Sequence, residues 1–178
     1  MKYEIPFDAE IYKEQMTLNF NITWLKNVKK NQKNFYWGIA YIILGLFIIY
    51  LKNNLGYLFI AIAIHVLINC NTYYNHYKKN KKRYFDEVTT DIEKQANKVS
   101  KWELNEDHLF FKQYNYETTI NWEVFKSYSV INKNLFVNLS KDRGLSYVLG
   151  EKEVGTNEFK KIIDFIDTKI KNVKIVEL

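Results

Sequence analysis

The sequence is poor both in residues that carry chemistry and in residues that break structure. It has one cysteine, three histidines, two arginines, one proline and six glycines in 178 positions. Cys70 has no second cysteine with which to form an intrachain disulfide, and at the end of an apolar run it reads as a packing thiol. His65, His76 and His108 together with Cys70 cannot assemble a metal-ligand set, so neither a metal nor another cofactor is expected. Arg83 and Arg143 are the only guanidinium groups, which leaves bidentate reading of phosphates or bases poorly supplied. No Gly-rich phosphate loop, nucleophile elbow or His-Glu-Xaa-Xaa-His pattern is present, so no catalytic residue is assigned and no enzyme activity is expected. Nor is there a Pro/Gly/Ser-rich linker, a low-complexity tract or a repeat of solenoid period.

What the chain does have is two apolar runs, residues 35–51 and 55–70, joined by only Lys52-Asn53-Asn54. A spanning helix needs ~20 mostly apolar residues. The first run supplies 17 without a charge, and the second continues into the uncharged Asn71-Thr72-Tyr73-Tyr74. Neither run keeps a polar stripe such as a surface helix of a soluble domain would show. Ten Leu, Ile or Phe residues in the first run favour insertion by about 3–6 kcal/mol. The expectation is a transmembrane helical hairpin over 35–75, with spans at 35–51 and 55–74. A buried hairpin in a soluble protein is the competing reading.

Lys26, Lys29, Lys30 and Lys33 precede the first run, and Lys78, Lys79, Lys81, Lys82 and Arg83 follow the second. Lys52 alone lies between them. The positive-inside rule then places both termini in the cytoplasm and the short loop outside. Trp37 and the cluster Tyr73, Tyr74, Tyr77 fall where interfacial aromatic belts belong. The apolar run starts too far into the chain for a cleaved signal peptide, so the first helix is expected to persist. Residues 1–83 hold 12 basic and 4 acidic side chains (net +8), and residues 84–178 hold 14 and 16 (net −2), together the overall +6. The positive excess therefore belongs to the membrane flanks, where each lysine meets anionic headgroups at ~1 kcal/mol. A nucleic-acid binder would carry it on the folded domain, so nucleic acid is not an expected partner.

Residues 1–34 form a leader of ambiguous pattern. Ile11, Leu18, Ile22, Leu25 and Val28 approximate a helical face with Asp8 as N-cap, yet Leu18, Phe20, Ile22 and Trp24 alternate as a strand would. A helix over about 8–33, preceded by an extended piece at 2–5, is the preferred reading. Residues 76–97 are a basic juxtamembrane segment with a connecting helix over 86–96. From 98 onward the period changes to two, with strands around Trp102 and Leu104, Leu109 and Phe111, and Thr118 to Trp122. A hairpin is expected at Asn132-Lys133-Asn134, a further turn at 141–144 and a strand at 145–149. A closing helix over 156–171 carries the stripe Phe159, Ile162, Ile163, Ile166 and Ile170, with Thr156 as its N-cap. The fold class expected is an α+β membrane protein: a two-helix transmembrane hairpin, then a small antiparallel β-barrel-like, pleckstrin-homology-like domain over 98–178 closed by a C-terminal helix.

That order, with Thr119-Ile120-Asn121-Trp122-Glu123-Val124-Phe125, the Leu135-Phe136-Val137 strand, Tyr147-Val148-Leu149 before a glycine and the closing Glu158-Phe159 helix, resembles the YcxB-like membrane proteins. The resemblance covers about residues 30–170. It implies a bacterial inner-membrane protein of uncharacterised role, with a C-terminal domain similar to bacterial pleckstrin-homology-like domains and no established catalytic residues. Usual members carry an Ile-Pro-Lys-like segment where this chain has Val148-Leu149-Gly150.

Few residues stand out as candidate sites. His65, near the middle of the second run, is an intramembrane ionisable group and so a candidate by default. Folding the hairpin about Asn53 sets His65 at the level of Tyr41 and Ala61 at that of Gly45, close enough for a hydrogen bond from the Tyr41 hydroxyl to a neutral imidazole. Packing is the plain reading of that pair; proton transfer or ligand contact is the other. Lys78, Lys79, Lys81, Lys82 and Arg83 set topology and are candidates for anionic-lipid contact. Glu106-Asp107-His108 falls in a turn and is expected to be solvated. The sequons at Asn21 and Asn138 lie on the side assigned to the cytoplasm.

The expected function is a non-enzymatic binding or scaffold module at the cytoplasmic face of the membrane. Its partners would be the bilayer, anionic lipids or a cytoplasmic or membrane protein, with homo-oligomer formation left open. The alternative is an immunity protein that shields the membrane from a toxin or antimicrobial peptide.

Overall fold

A computed structural model of the protein describes residues 1–139 and 146–171. The expected turn at 141–144 lies outside the described residues. Among the described residues the chain is α+β, with two long apolar helices and seven antiparallel strands in two sheets of four and three, neither closed. It divides into two units, residues 1–23 with 87–178, and residues 24–86. Helix α1 (Ala9–Tyr50) and helix α2 (Leu55–Gln95) each contribute to both.

In the first unit the leader opens with strand β1 (Lys2–Pro6). It pairs antiparallel with β2 (Val99–Leu104), from Lys2 opposite Glu103 to Pro6 opposite Val99. The extended piece at 2–5 was legible from the sequence, but its partner was not. Ile5 is buried in the core, so these residues are part of the β unit. The proline, which lacks an N–H to give to a ladder, closes an edge strand. Asp8 then caps α1, its Oδ1 accepting from the backbone N–H groups of Glu10 (2.9 Å) and Ile11 (3.0 Å). Of the two patterns in the leader, the helical one prevails from Ala9 onward.

Strand β3 (His108–Lys112) pairs with β2, and β4 (Glu117–Asn121) with β3. The strand expected to reach Trp122 stops one residue earlier, because Trp122–Val124 form a 3-10 turn. That turn buries the indole, whose Nε1–H donates to the Asn105 carbonyl at 2.9 Å. Strands β5 (Ser127–Ile131) and β6 (Asn134–Asn138) are joined by a two-residue turn, Asn132 and Lys133 with φ of 47° and 60°. Both positive values are what a tight hairpin demands to match strand twist. Strand β7 (Ser146–Gly150) completes the second sheet.

A short helix α3 (Glu151–Val154) follows, which the sequence pattern did not announce. Gly155, at φ 83°, ends it and occupies the N-cap of α4 (Thr156–Lys169). Thr156 is thus the first helical residue rather than the cap, since the reversal between the two helices needs a backbone that L side chains avoid. Phe159, Ile162, Ile166 and Ile170 of the expected stripe are buried with Leu135 and Leu149 of the second sheet. Fully burying such side chains is worth about 1.5–3 kcal/mol each. The Tyr128 hydroxyl donates to Asp167 Oδ1 at 2.5 Å and ties α4 to β5.

The second unit is an antiparallel helical hairpin. Lys52 takes φ 58°, and Asn53 Oδ1 accepts from the Leu55 N–H at 2.9 Å, which caps α2. A Cβ on Gly38 would come within 2.8 Å of the Leu67 side chain, so the helices pack closely where small residues allow it. Both helices are long and apolar enough to cross a membrane, and their most apolar stretches are only 11% and 17% buried. Ile43, Leu46, Phe47, Leu58 and Ile68 are all exposed.

Candidate functional site

The β unit contains a cavity of about 270 Å³ whose lining draws on α1, α2, both sheets and α3. Aromatic rings form part of its wall. Trp102 and Phe111 are cross-strand partners on β2 and β3, with ring centroids 5.0 Å apart. Tyr147 on β7 meets both, at 6.2 Å from Trp102 and 5.1 Å from Phe111, and so links the two sheets. Tyr116 adds a fourth ring, 5.8 Å from Phe111. These distances fall in the range of favourable edge-to-face and tilted contacts.

Polar groups enter from the helices. Gln15 of α1 and Gln95 at the end of α2 are buried. Gln95 Oε1 accepts from Gln113 Nε2, while Gln15 Nε2 donates to Glu153 Oε2 at 2.5 Å. The Gly150 backbone N–H donates to the same carboxylate oxygen, also at 2.5 Å. A Cβ on Gly150 would lie 2.9 Å from both Asn134 Oδ1 and Gln15 Nε2, so a larger residue there would push the side chains of this junction aside.

The electrostatics are one-sided. Among the described lining residues the charged ones are Asp8 and Glu153, with no lysine, arginine or histidine. Burial pushes the Glu153 carboxyl up; the hydrogen bonds from Gly150 and Gln15 oppose that, and the charge on Asp8 adds to it. Burial, with Tyr147 and Asp91 nearby, pushes the Tyr116 phenol up to about 12. Burial also raises Tyr147. Tyr116 and Tyr147 are therefore neutral at physiological pH, and the charge among the described lining residues comes from carboxylates.

The residues singled out from sequence lie elsewhere. His65 is exposed on α2, and its Nε2 is 3.0 Å from Asn69 Nδ2, one turn along the same helix. The expected contact with Tyr41 does not form: the Tyr41 ring sits against Trp37 and Phe59, at 6.1 and 6.4 Å. His65 lies on an exposed side of α2, whereas Gly45 faces Gly56 and Ile60, and Gly38 faces Val66 and Leu67. Lys78, Lys79, Lys81, Lys82 and Arg83 are all exposed on α2. Glu106 pairs with Lys169 at 2.7 Å, which holds its carboxyl below the usual range, and His108 Nε2 is 3.0 Å from Asn105 Nδ2. Cys70 is buried, its thiol 3.7 Å from the Asn31 carbonyl.

Sequence reasoning missed the cavity and also a groove of mixed character in the hairpin, where Asn27, Lys30, Asn31, Asn34 and Asn69 line one space with Trp37, Tyr41, Val66, Cys70 and Tyr73. Asn27, Asn31 and Asn34 recur at helical spacing, a signal that was there to be read. The cavity offered none, because Gln15, Gln95, Gln113 and Glu153 meet only through tertiary structure. Comparison with known proteins finds no matching family model, no matching curated protein and no matching solved structure.

Proposed function

We propose that this protein is a membrane-anchored, non-enzymatic binding or scaffold module of the YcxB-like kind, holding a pleckstrin-homology-like β unit at the cytoplasmic face of a bacterial membrane. The observation that carries the reading is the exposure of the hairpin. Stretches with mean hydropathy of 1.4 and 1.7 stand almost unburied in the folded chain. In water such a surface would far exceed the apolar patches that monomeric soluble proteins tolerate. In a bilayer the same surface is solvated by lipid, and the lysines that flank it meet anionic headgroups. Two open sheets of four and three strands closed by one amphipathic helix fit a pleckstrin-homology-like unit, a scaffold that hosts many unrelated functions.

Because Cys70 is the single cysteine, one labelling experiment tests the reading. In a C70S background, N53C reports the loop and K160C the β unit. In intact cells a membrane-impermeant maleimide should label N53C and not K160C, and the protein should resist alkaline carbonate extraction. Release by carbonate, or labelling of K160C from outside, overturns the proposal. Protection from a membrane-active peptide by the hairpin alone would turn the assignment to an immunity protein.

A further inference from the structure

We propose that the cavity of the β unit binds a small organic ammonium ion, held between the rings of Trp102, Phe111, Tyr116 and Tyr147 and the carboxylates of Glu153 and Asp8. The inference rests on reading the β unit as a binding module and names the ligand class for it. Three observations converge. The described lining carries only negative charge, in a chain whose overall balance is +6. Six aromatic residues line the same space, Phe7 and Tyr12 besides these four, and aromatic faces attract cations through their quadrupole, most strongly where water is excluded. Both hydrogen bonds to Glu153 fall on Oε2, and neither engages Oε1.

Other ligand classes fit less well. An anion would face two carboxylates with no basic side chain among the described lining residues to offset them. Amide groups of the cavity are already engaged, Gln95 with Gln113 and Gln15 with the Glu153 carboxylate, which leaves a neutral polar ligand fewer open partners. At about 270 Å³ the space suits a small ion, being just under the volume of sites that take drug-sized molecules. A carboxylate destabilised by burial, as that of Glu153 is, also gains from a cation beside it.

The ammonium group has two sources, a soluble amine and a zwitterionic lipid headgroup, and the experiment separates them. Full-length protein in nanodiscs of phosphatidylglycerol is titrated with tetramethylammonium, ethylammonium and the neutral isostere tert-butanol, with heat of binding as the readout. One or both cations should saturate and bind about tenfold or more tighter than tert-butanol. Glu153→Gln should weaken that binding about tenfold with circular dichroism unchanged. Asp8→Asn is the second variant; asparagine caps a helix as well as aspartate does, so the fold is kept and only charge is lost, and several-fold weakening is expected. Repeating the titration in discs containing phosphatidylethanolamine assigns the source: weaker apparent affinity there points to the headgroup, equal affinity to a soluble amine. Folded protein that saturates with neither cation, equal binding of tert-butanol, or affinity unmoved by both variants would overturn the proposal. Carbonate extraction of membranes from the cells that supply the protein keeps the two readings apart. A protein that stays in the membrane without binding ammonium loses only this inference, whereas one that is extracted yet binds ammonium loses only its anchor.

Discussion

Gly45 and Gly56 meet backbone to backbone at the loop end of the hairpin, where a Cβ on Gly45 would lie 2.9 Å from the Gly56 carbonyl oxygen. A Cβ on Gly56 would in turn strike the Gly45 carbonyl oxygen and the Ile49 side chain. Backbone cannot step aside as a flexible side chain does, so any larger residue at 56 must part the helices. Gly56→Val is expected to lower the stability of the hairpin by about 1–3 kcal/mol, the usual cost of overpacking. Unfolding of the full chain in mixed micelles by increasing SDS checks this, and an unchanged midpoint would mean that the helices do not approach at this point.

Strand β1 comes from the far side of the hairpin in sequence, yet its Ile5 is buried with Trp102 and Leu104. A fragment that starts at residue 84 therefore lacks an edge strand of the first sheet. We expect it to be poorly soluble and to melt non-cooperatively. A chain that keeps residues 1–23 and replaces 24–86 by a short flexible linker should melt cooperatively. Within the intact protein, Ile5→Ala should cost about 2–5 kcal/mol. Equal stability of the two excised forms would show that β1 contributes nothing.

Stability against pH should have two limbs of opposite sign. Lysine partners hold Glu4, Glu106, Glu151 and Glu158 below the carboxylate value of 4.5, so their contribution is present above that value and is lost as the pH falls through their folded pKa values. Glu4, Glu106 and Glu158 are largely exposed and their effect is small, while Glu151, with 13% of its side chain exposed, is the most sheltered of the four. Burial moves Glu153 the other way, so the folded state holds its proton more tightly than the unfolded chain. Its contribution is fully present below 4.5 and declines as the pH rises through its raised folded value. Urea midpoints measured from acid to neutral pH should rise and then ease. Glu153→Gln should flatten only the second limb; a variant that still loses stability there would assign the slope to another group.

His65 has its polar contact with Asn69 on its own helix, one turn away, and is exposed. His65→Leu should accordingly leave membrane yield unchanged and stability within about 0.5 kcal/mol. A clear fall in the SDS midpoint would show that His65 has a partner in the membrane, such as a second copy of the chain.

The features legible in the sequence are those that depend on neighbours along the chain. The two apolar runs, the Asp8 cap, the hairpin at Asn132 and the stripe of α4 each rest on spacing and local backbone chemistry, and each forms about where its pattern lies. The pairing of Tyr41 with His65 does not form, because His65 is exposed and meets Asn69 on its own helix, and the side of a helix that faces its neighbour is set by packing. The end of β4 was misplaced for a similar reason. Trp122 fits a strand by pattern, but its indole turns inward to reach the Asn105 carbonyl.

Sequence alone therefore established that this chain carries two lipid-compatible helices and a β-rich region closed by an amphipathic helix, since apolar periodicity is written residue by residue. Only the folded chain brought β1 onto β2 and gathered Gln15, Gln95, Trp102, Tyr147 and Glu153 around one cavity. These residues come from five separate elements. Their meeting depends on strand order, helix register and a glycine that admits a carboxylate, none of which leaves a periodic trace in the sequence.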